Sequence, residues 1–268
     1  GPAQAAILQQ RVVERRPWAE LGLSLRPMRW RFLWLTCLVG LVIVPVHLVV
    51  TGTLGSNTGH PGFGEVSITT EQVTLSVQTL LEAAGQDPLP QAVLNDLAKV
   101  PAWAILVVMQ LAGLLGAFTA NLPFMLGEEL GWRGYLFHRL QEKRSAFRIG
   151  LTGVVWGLWH APLIAMGHNY PGHPVLGIGM MVVFCLVLAV LFDWTRLRTR
   201  TVWSACVLHG LINGTAGATV FFQTGAEPLL GGLPGLAGCL ALTLITGVVL
   251  LLDGNYRKTL FRTADQRS

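Results

Sequence analysis

The chain has 268 residues, 52% of them hydrophobic and only 12% charged, with a net charge of +5 and a mean hydropathy of +0.53. Average soluble domains are about 25% charged, so this composition excludes an ordinary soluble globule and defines a polytopic membrane protein. The positive balance includes no basic stripe interleaved with aromatics, which excludes nucleic acid as a partner.

Residues 1–29 are expected to form a cytoplasmic N-terminal segment. Gly1-Pro2 has the form of a tag-cleavage remnant and is left out of the reading, and nothing has the layout of a cleavable signal peptide. The stretch 17–27 has the amphipathic look of a surface segment lying along the membrane. Crossing the ~30 Å hydrocarbon layer takes about 20 apolar helical residues. Such runs fall at 30–50, 101–121, 149–167, 175–194, 202–223 and 230–252. Between the first two lies an external loop, 51–100, with short helices expected at 70–84 and 91–100 on either side of Gln86-Asp87-Pro88-Leu89-Pro90. A further apolar segment, 124–140, is divided from the span before it by Pro123. It reads equally as a kinked continuation, a half-helix or a separate crossing.

The expected fold class is thus all-α: a polytopic integral membrane helix bundle with about six to eight transmembrane helices. Residues 30–252 form a single membrane domain with a motif core at 101–223, followed by a cytoplasmic tail at 253–268. Basic residues orient it. Arg11, Arg15, Arg16, Arg26, Arg29 and Arg31 come before or at the start of the first span, whereas the external loop has Lys99 against Glu65, Glu71, Glu82, Asp87 and Asp96. Later basic turns follow the same alternation: Arg139, Lys143, Arg144 and Arg148; Arg196, Arg198 and Arg200; Arg257, Lys258 and Arg262. The positive-inside rule puts both termini in the cytoplasm, and the expected location is the cell membrane of a prokaryote. Cys37, Cys185, Cys206 and Cys239 all lie in apolar spans without a Cys-x-x-Cys pair and read as small core residues.

Glu128, Glu129 and Arg133 are the charges that stand deep in apolar sequence. Ionised groups at membrane depth cost on the order of 2.5 to 3.5 kcal/mol each by insertion scales, so they are rare and tend to be functional. Glu129 and Arg133, at i and i+4, account for each other as a structural ion pair. Glu128 is rotated about 100° away and needs another partner. His160 and His209 stand on later spans at similar height, roughly 18 Å from Arg148 and 14 Å from Arg200 by helical rise, with Glu128 roughly 17 Å from Arg139. A single membrane histidine is more often a packing residue than a catalyst; several polar groups at one depth must find partners in each other. His209 and Asn213, again i and i+4, project from one face as two donors suited to an oxyanion or to an interhelical contact. Gly210, Gly214 and Gly217 beside them read as a close helix approach or as the wall of a substrate cavity.

A poorly solvated carboxylate is a better general base, so a water between Glu128 and His160 would become a nucleophile, with His209 and Asn213 stabilising the oxygen formed on a carbonyl. Gly-x-Ser-x-Gly and His-Glu-x-x-His signatures are absent. His168, Tyr170 and His173, in a short external turn, read as a solvated turn or as the border of a substrate entrance.

These residues resemble the CPBP family of CAAX proteases and bacteriocin-processing enzymes, also called ABI. Its members share Glu-Glu-x-x-x-Arg, Phe-x-x-x-His and His-x-x-x-Asn motifs on successive membrane helices. Glu128, Glu129 and Arg133 match the first, and His209 and Asn213 the third; Trp156 replaces Phe ahead of His160 in the second. The resemblance covers roughly residues 101–223. It implies an intramembrane endopeptidase of the Ras-converting branch, with Glu128 and His160 activating water, His209 and Asn213 forming the oxyanion hole, and Glu129 and Arg133 supporting them. The expected partners are a membrane-associated protein or peptide substrate and the lipid bilayer, and no cofactor is expected. The alternative is a zinc enzyme with Glu128, His160 and His209 as ligands. A non-catalytic scaffold of the bacteriocin-immunity type and an ion or proton transporter are further readings of the same residues.

Overall fold

The computed structural model describes residues 1–261. Arg262 and the remainder of the expected tail lie outside the described residues. A short helix α1 (Pro2–Ile7) runs into a π-helical turn (Leu8–Val13) and then a 3-10 turn (Trp18–Leu21). Helix α2 (Trp30–Thr58) follows; its 29 residues outrun the predicted span, and it stops at Gly59, whose φ of +61° ends the helix in the left-handed region. Beyond it, β1 (Glu65–Val66) pairs antiparallel with the distant β2 (Gln223–Thr224). Gly64 (φ +73°) makes this approach feasible, since a Cβ there would meet the Thr224 carbonyl oxygen at 2.4 Å.

The two loop helices form as expected. Helix α3 (Thr70–Ala83) is capped by the Thr69 side chain, which accepts from the Gln72 amide. Helix α4 (Gln91–Leu97) bends by 92° into α5 (Ala102–Phe118). The 124–140 question resolves into a separate element. Backbone dihedrals at Thr119 leave helical values, and α6 (Leu122–Glu129) restarts with Pro123 in its first turn, where a missing N–H costs nothing. It continues as a π-helix (Leu130–Leu136) and ends in α7 (Phe137–Arg139). Helix α8 (Ser145–Trp159) breaks at His160, ahead of the Pro162 ring, and α9 (Ala161–Ala165) resumes beyond it. Then come α10 (Pro174–Thr199), α11 (Trp203–Ala216), α12 (Ala218–Phe222), α13 (Leu236–Leu252) and α14 (Gly254–Leu260), the last bent by 109° from α13.

The protein is a helical bundle. Among the described residues three helical stretches are long and apolar enough to cross a membrane, and up to five if each bent pair counts as one span. The bundle core lies where α10 and α11 meet α2, around Ile43, Leu191, Phe192 and Leu208, all fully buried. Small residues set the closest approaches. An added Cβ at Gly157 of α8 would sit 2.5 Å from the Val182 Cα of α10, and one at Gly214 of α11 would sit 3.1 Å from the Gly113 Cα of α5. Gly210 meets Ala117 at 3.0 Å in the same way, so close helix approach is the role of Gly210 and Gly214; Gly217 faces open space. All four cysteines are free and buried.

The N-terminal segment is docked on the bundle. Residues 17–27 hold a 3-10 turn, and two bonds fasten them: the Val202 N–H donates to the Gly22 carbonyl at 3.0 Å, and the Trp203 indole Nε1 donates to the Leu23 carbonyl at 2.8 Å. Pro2 is also structural, since it packs on Gly131 of the π-helix, where a Cβ would lie 2.6 Å from the Pro2 Cβ.

Candidate active site

Charges at depth are more numerous than the sequence suggested. Besides Glu128, Glu129 and Arg133, Asp193 of α10 is buried and pairs with buried Arg148 of α8 at 2.6 Å, with the Tyr256 hydroxyl donating to Asp193 at 3.2 Å. This second pair ties α8, α10 and α14 together. Arg196 is buried too, and its Nε donates to the Arg133 carbonyl at 2.9 Å, fastening α10 to the π-helical stretch. A π-helical stretch is a frequent mark of a functional site.

Glu129 and Arg133 form the expected pair, with side chains 0% and 2% exposed, and Arg133 Nη1 donates to both carboxylate oxygens at 3.0 Å. The Arg133 guanidinium lies between two aromatic faces, its carbon 4.3 Å from the Trp156 ring centre and 4.1 Å from that of Phe192. Desolvated cation–π contacts of this kind are worth about 2 kcal/mol. They help offset the burial of a charge whose Nη2 has no hydrogen-bond partner. Glu129 has a second task. Its Oε1 accepts from His209 Nδ1 at 2.9 Å, so the carboxylate fixes the ring of α11 and turns Nε2 away from itself.

Glu128 does find another partner. Trp156 of α8 donates its indole N–H to Glu128 Oε2 at 3.3 Å. One turn on, His160 Nδ1 bonds the Trp156 carbonyl at 2.8 Å. A carbonyl only accepts, so Nδ1 bears the hydrogen and a neutral His160 keeps its lone pair on Nε2. The Trp156 ring lies edge-on to both imidazoles, at 6.1 Å from His160 and 5.5 Å from His209. Asn213 has only a long contact, from Nδ2 to Met125 Sδ at 3.5 Å.

Glu128, His160, His209 and Asn213 line one cavity of about 410 Å³, together with Trp156 and Trp159. Glu129 and Arg133 stand behind this wall. Two features of the cavity, Trp156 and Cys185, escape a reading of the sequence, and for His168 the structure favours the substrate-entrance reading over the solvated turn. Trp156 is a hub for the cluster and had been read only as a departure from a motif; its i, i+4 spacing to His160, together with the need of an indole N–H for a partner in lipid, was the available signal. His168 lines the cavity beside Asn169, so the turn 168–173 is more than a solvated connection. Within that turn Tyr170 is fully buried and donates to the Pro234 carbonyl at 2.7 Å, while His173 pairs with Glu227 at 3.1 Å. Cys185, read as plain core, also reaches the cavity wall.

The zinc alternative requires Glu128, His160 and His209 to converge on one ion. Among the described residues no group of three or more His, Cys, Asp or Glu side chains is arranged to hold a metal.

The fold and the cavity together define a membrane helix bundle with a secluded cluster of acid, imidazole and amide groups. Residues 98–215 match the family of type II CAAX prenyl endopeptidases, Rce1-like. A curated relative from Methanococcus maripaludis, CAAX prenyl protease 2, is 36% identical over 92 residues, which cover 32% of this chain and 34% of the relative. The chain therefore matches about a third of the length of that relative. No solved structure matches. The matched stretch is similar to type II CAAX prenyl endopeptidases, and it contains Glu128, Glu129, Arg133, His160, His209 and Asn213.

Proposed function

We propose that the protein is an intramembrane endopeptidase that hydrolyses a peptide bond of a membrane-associated protein or peptide, with both termini of the enzyme on the cytoplasmic side. What supports this reading is one observation: acid, imidazole and amide side chains from three helices line a single cavity large enough for a peptide segment and a water.

In this mechanism Glu128 takes a proton from the water as it adds to the scissile carbonyl, and its orientation is held by the Trp156 N–H. His160, anchored through Nδ1, offers Nε2 to relay that proton to the departing amine. His209 donates from Nε2 to the developing oxyanion, which requires the imidazolium form. Glu129 provides the compensating charge at 2.9 Å. Glu128, Glu129, Arg133 and protonated His209 then sum to zero, as a low-dielectric site demands. Asn213 supplies the second oxyanion donor from the next turn of α11. Glu129 and Arg133 act through His209, as positioning residues.

The test is cleavage of a membrane-tethered peptide by the protein in proteoliposomes, with products identified by mass spectrometry. His160→Ala should reduce turnover at least about 100-fold, the usual contribution of general acid–base catalysis, while the protein still purifies as a folded monodisperse species. Chelator dialysis should leave the wild-type rate unchanged. Full activity in His160→Ala would reject the assignment, and a chelator-induced loss reversed by zinc would replace it with the metal-dependent version.

A further inference from the structure

A second cavity, about 800 Å³ and distinct from the one carrying the catalytic candidates, opens on the outer face of the bundle between α2 and α13. Its walls are the lipid-facing aliphatics of two helices that the bundle leaves uncovered: Leu38 is 57% exposed, Leu244 59% and Val248 54%. One end is charged. Arg31 and Arg198 both line it, and both lie against the same Phe32 ring, at 4.5 Å and 4.7 Å. Arg198 is satisfied by Asp253, which takes two bonds of 2.6 Å from it. Arg29, Arg31 and Arg200 have no carboxylate partner among the described residues. Arg29 is tied to the same corner through its amide, which donates to the Thr199 carbonyl at 3.2 Å. The proximity of Arg200, then partial burial, then Arg198 and Arg31, pulls the Arg29 pKa below the ordinary arginine value, so these guanidiniums crowd one another and, of the four, Arg198 alone has a carboxylate partner among the described residues.

The same end carries a marker of membrane depth. Trp30 and Trp34 project outward, 59% and 61% exposed, in the first turns of α2. Exposed indoles at the end of an apolar span sit at headgroup level, and arginines beside them meet lipid phosphates. A groove with an aliphatic floor and uncompensated guanidiniums at headgroup height has the chemistry of a phosphate with an attached hydrocarbon chain.

We infer that this groove binds an anionic phospholipid, with its phosphate held by Arg31, Arg29 and Arg200 and an acyl chain laid between α2 and α13. Asp253 stays paired with Arg198, and its charge is therefore masked from the phosphate. The occupant is a resident lipid of the bilayer, and the inference stands or falls independently of the proteolytic reading.

Native mass spectrometry of the full chain in detergent, titrated with phosphatidylglycerol or phosphatidylcholine, tests this. The wild type should retain one phosphatidylglycerol with an affinity at least 10-fold above phosphatidylcholine, since each near-surface arginine contributes about fivefold. Arg31→Gln should weaken the preference by about fivefold, and the triple variant Arg29→Gln/Arg31→Gln/Arg200→Gln should abolish it. Val42→Trp, which fills the groove and leaves every charge in place, should lose the lipid as well. Circular dichroism of each variant checks folding. Equal retention of the two lipids by the wild type, or an undiminished preference in Arg31→Gln, would overturn the inference. Displacement by soluble glycerol phosphate would reduce the site to a bare phosphate site. Displacement by a prenylated peptide at lower concentration than by lipid would assign the groove to substrate.

Discussion

Trp156 touches both imidazoles of the candidate site, one of its two glutamates and its arginine, although the motif that contains it has phenylalanine at that place. The ring and the N–H do separable work: the ring packs on Arg133, and the N–H aims Glu128. Trp156→Phe should therefore leave thermal stability near wild type and lower kcat by about 10-fold or more, the worth of one hydrogen bond to a charged group, with KM little changed. An unchanged kcat would show that the indole N–H is irrelevant to Glu128. At this scale the i, i+4 pairs were legible in the sequence, because helical geometry alone brings Glu129 to Arg133. The bonds from Trp156 to Glu128 and from His209 to Glu129 were not, since each joins residues that only the tertiary fold brings together.

The N-terminal segment is clasped to the helix that bears the acidic pair. Tyr135 donates to Glu14 at 2.6 Å, Arg139 pairs with Glu14 and donates to Gln10 at 2.9 Å, and His138 lies 3.4 Å from Glu20. The Tyr135 hydrogen bond is the largest influence on Glu14 and holds its pKa below the ordinary 4.5; burial opposes it, and Gln9, Arg139 and Arg16 add to it. Glu20 is depressed likewise, chiefly by its bond from Gln10. Carboxylates depressed in the folded state stabilise it fully above their unfolded pKa, and that contribution is lost as pH falls through the folded one. Acidification well below the ordinary 4.5 should release residues 1–22, read as rising protease sensitivity there while the bundle stays intact. Tyr135→Phe should move the midpoint upward, towards 4.5. A segment still protected at about pH 3, or a midpoint indifferent to Tyr135, would contradict this clasp. The sequence concealed the arrangement because the groups that dock residues 17–27, the Val202 amide and the Trp203 indole, lie far away along the chain.

At the level of the whole molecule, apolar runs and their basic flanks were enough to read an all-helical membrane bundle, since a bilayer leaves few other options for the backbone. The break between α5 and α6 was half legible. Pro123 announced an interruption, but the turn at residues 119–121 that makes α6 a separate element depends on Asn121, whose side chain donates to the Gly210 carbonyl of α11 at 3.0 Å. Asp193 escaped notice because it falls at the end of a long apolar run beside a basic turn, where a charge looks solvated. In the folded chain it is 5% exposed.

On the proposed mechanism two adjacent carboxylates divide the labour: Glu128, which lines the cavity, would do the chemistry, and Glu129, buried behind it, holds His209 and Arg133. Parallel measurement of membrane-peptide cleavage and thermal unfolding for Glu128→Gln and Glu129→Gln tests it most directly. Glu128→Gln should lose at least about 100-fold in turnover with an unfolding midpoint close to wild type. Glu129→Gln should unfold markedly earlier, because breaking a buried pair costs about 3 to 5 kcal/mol. Normal cleavage by Glu128→Gln, or a Glu129→Gln protein as stable as wild type, would contradict the account.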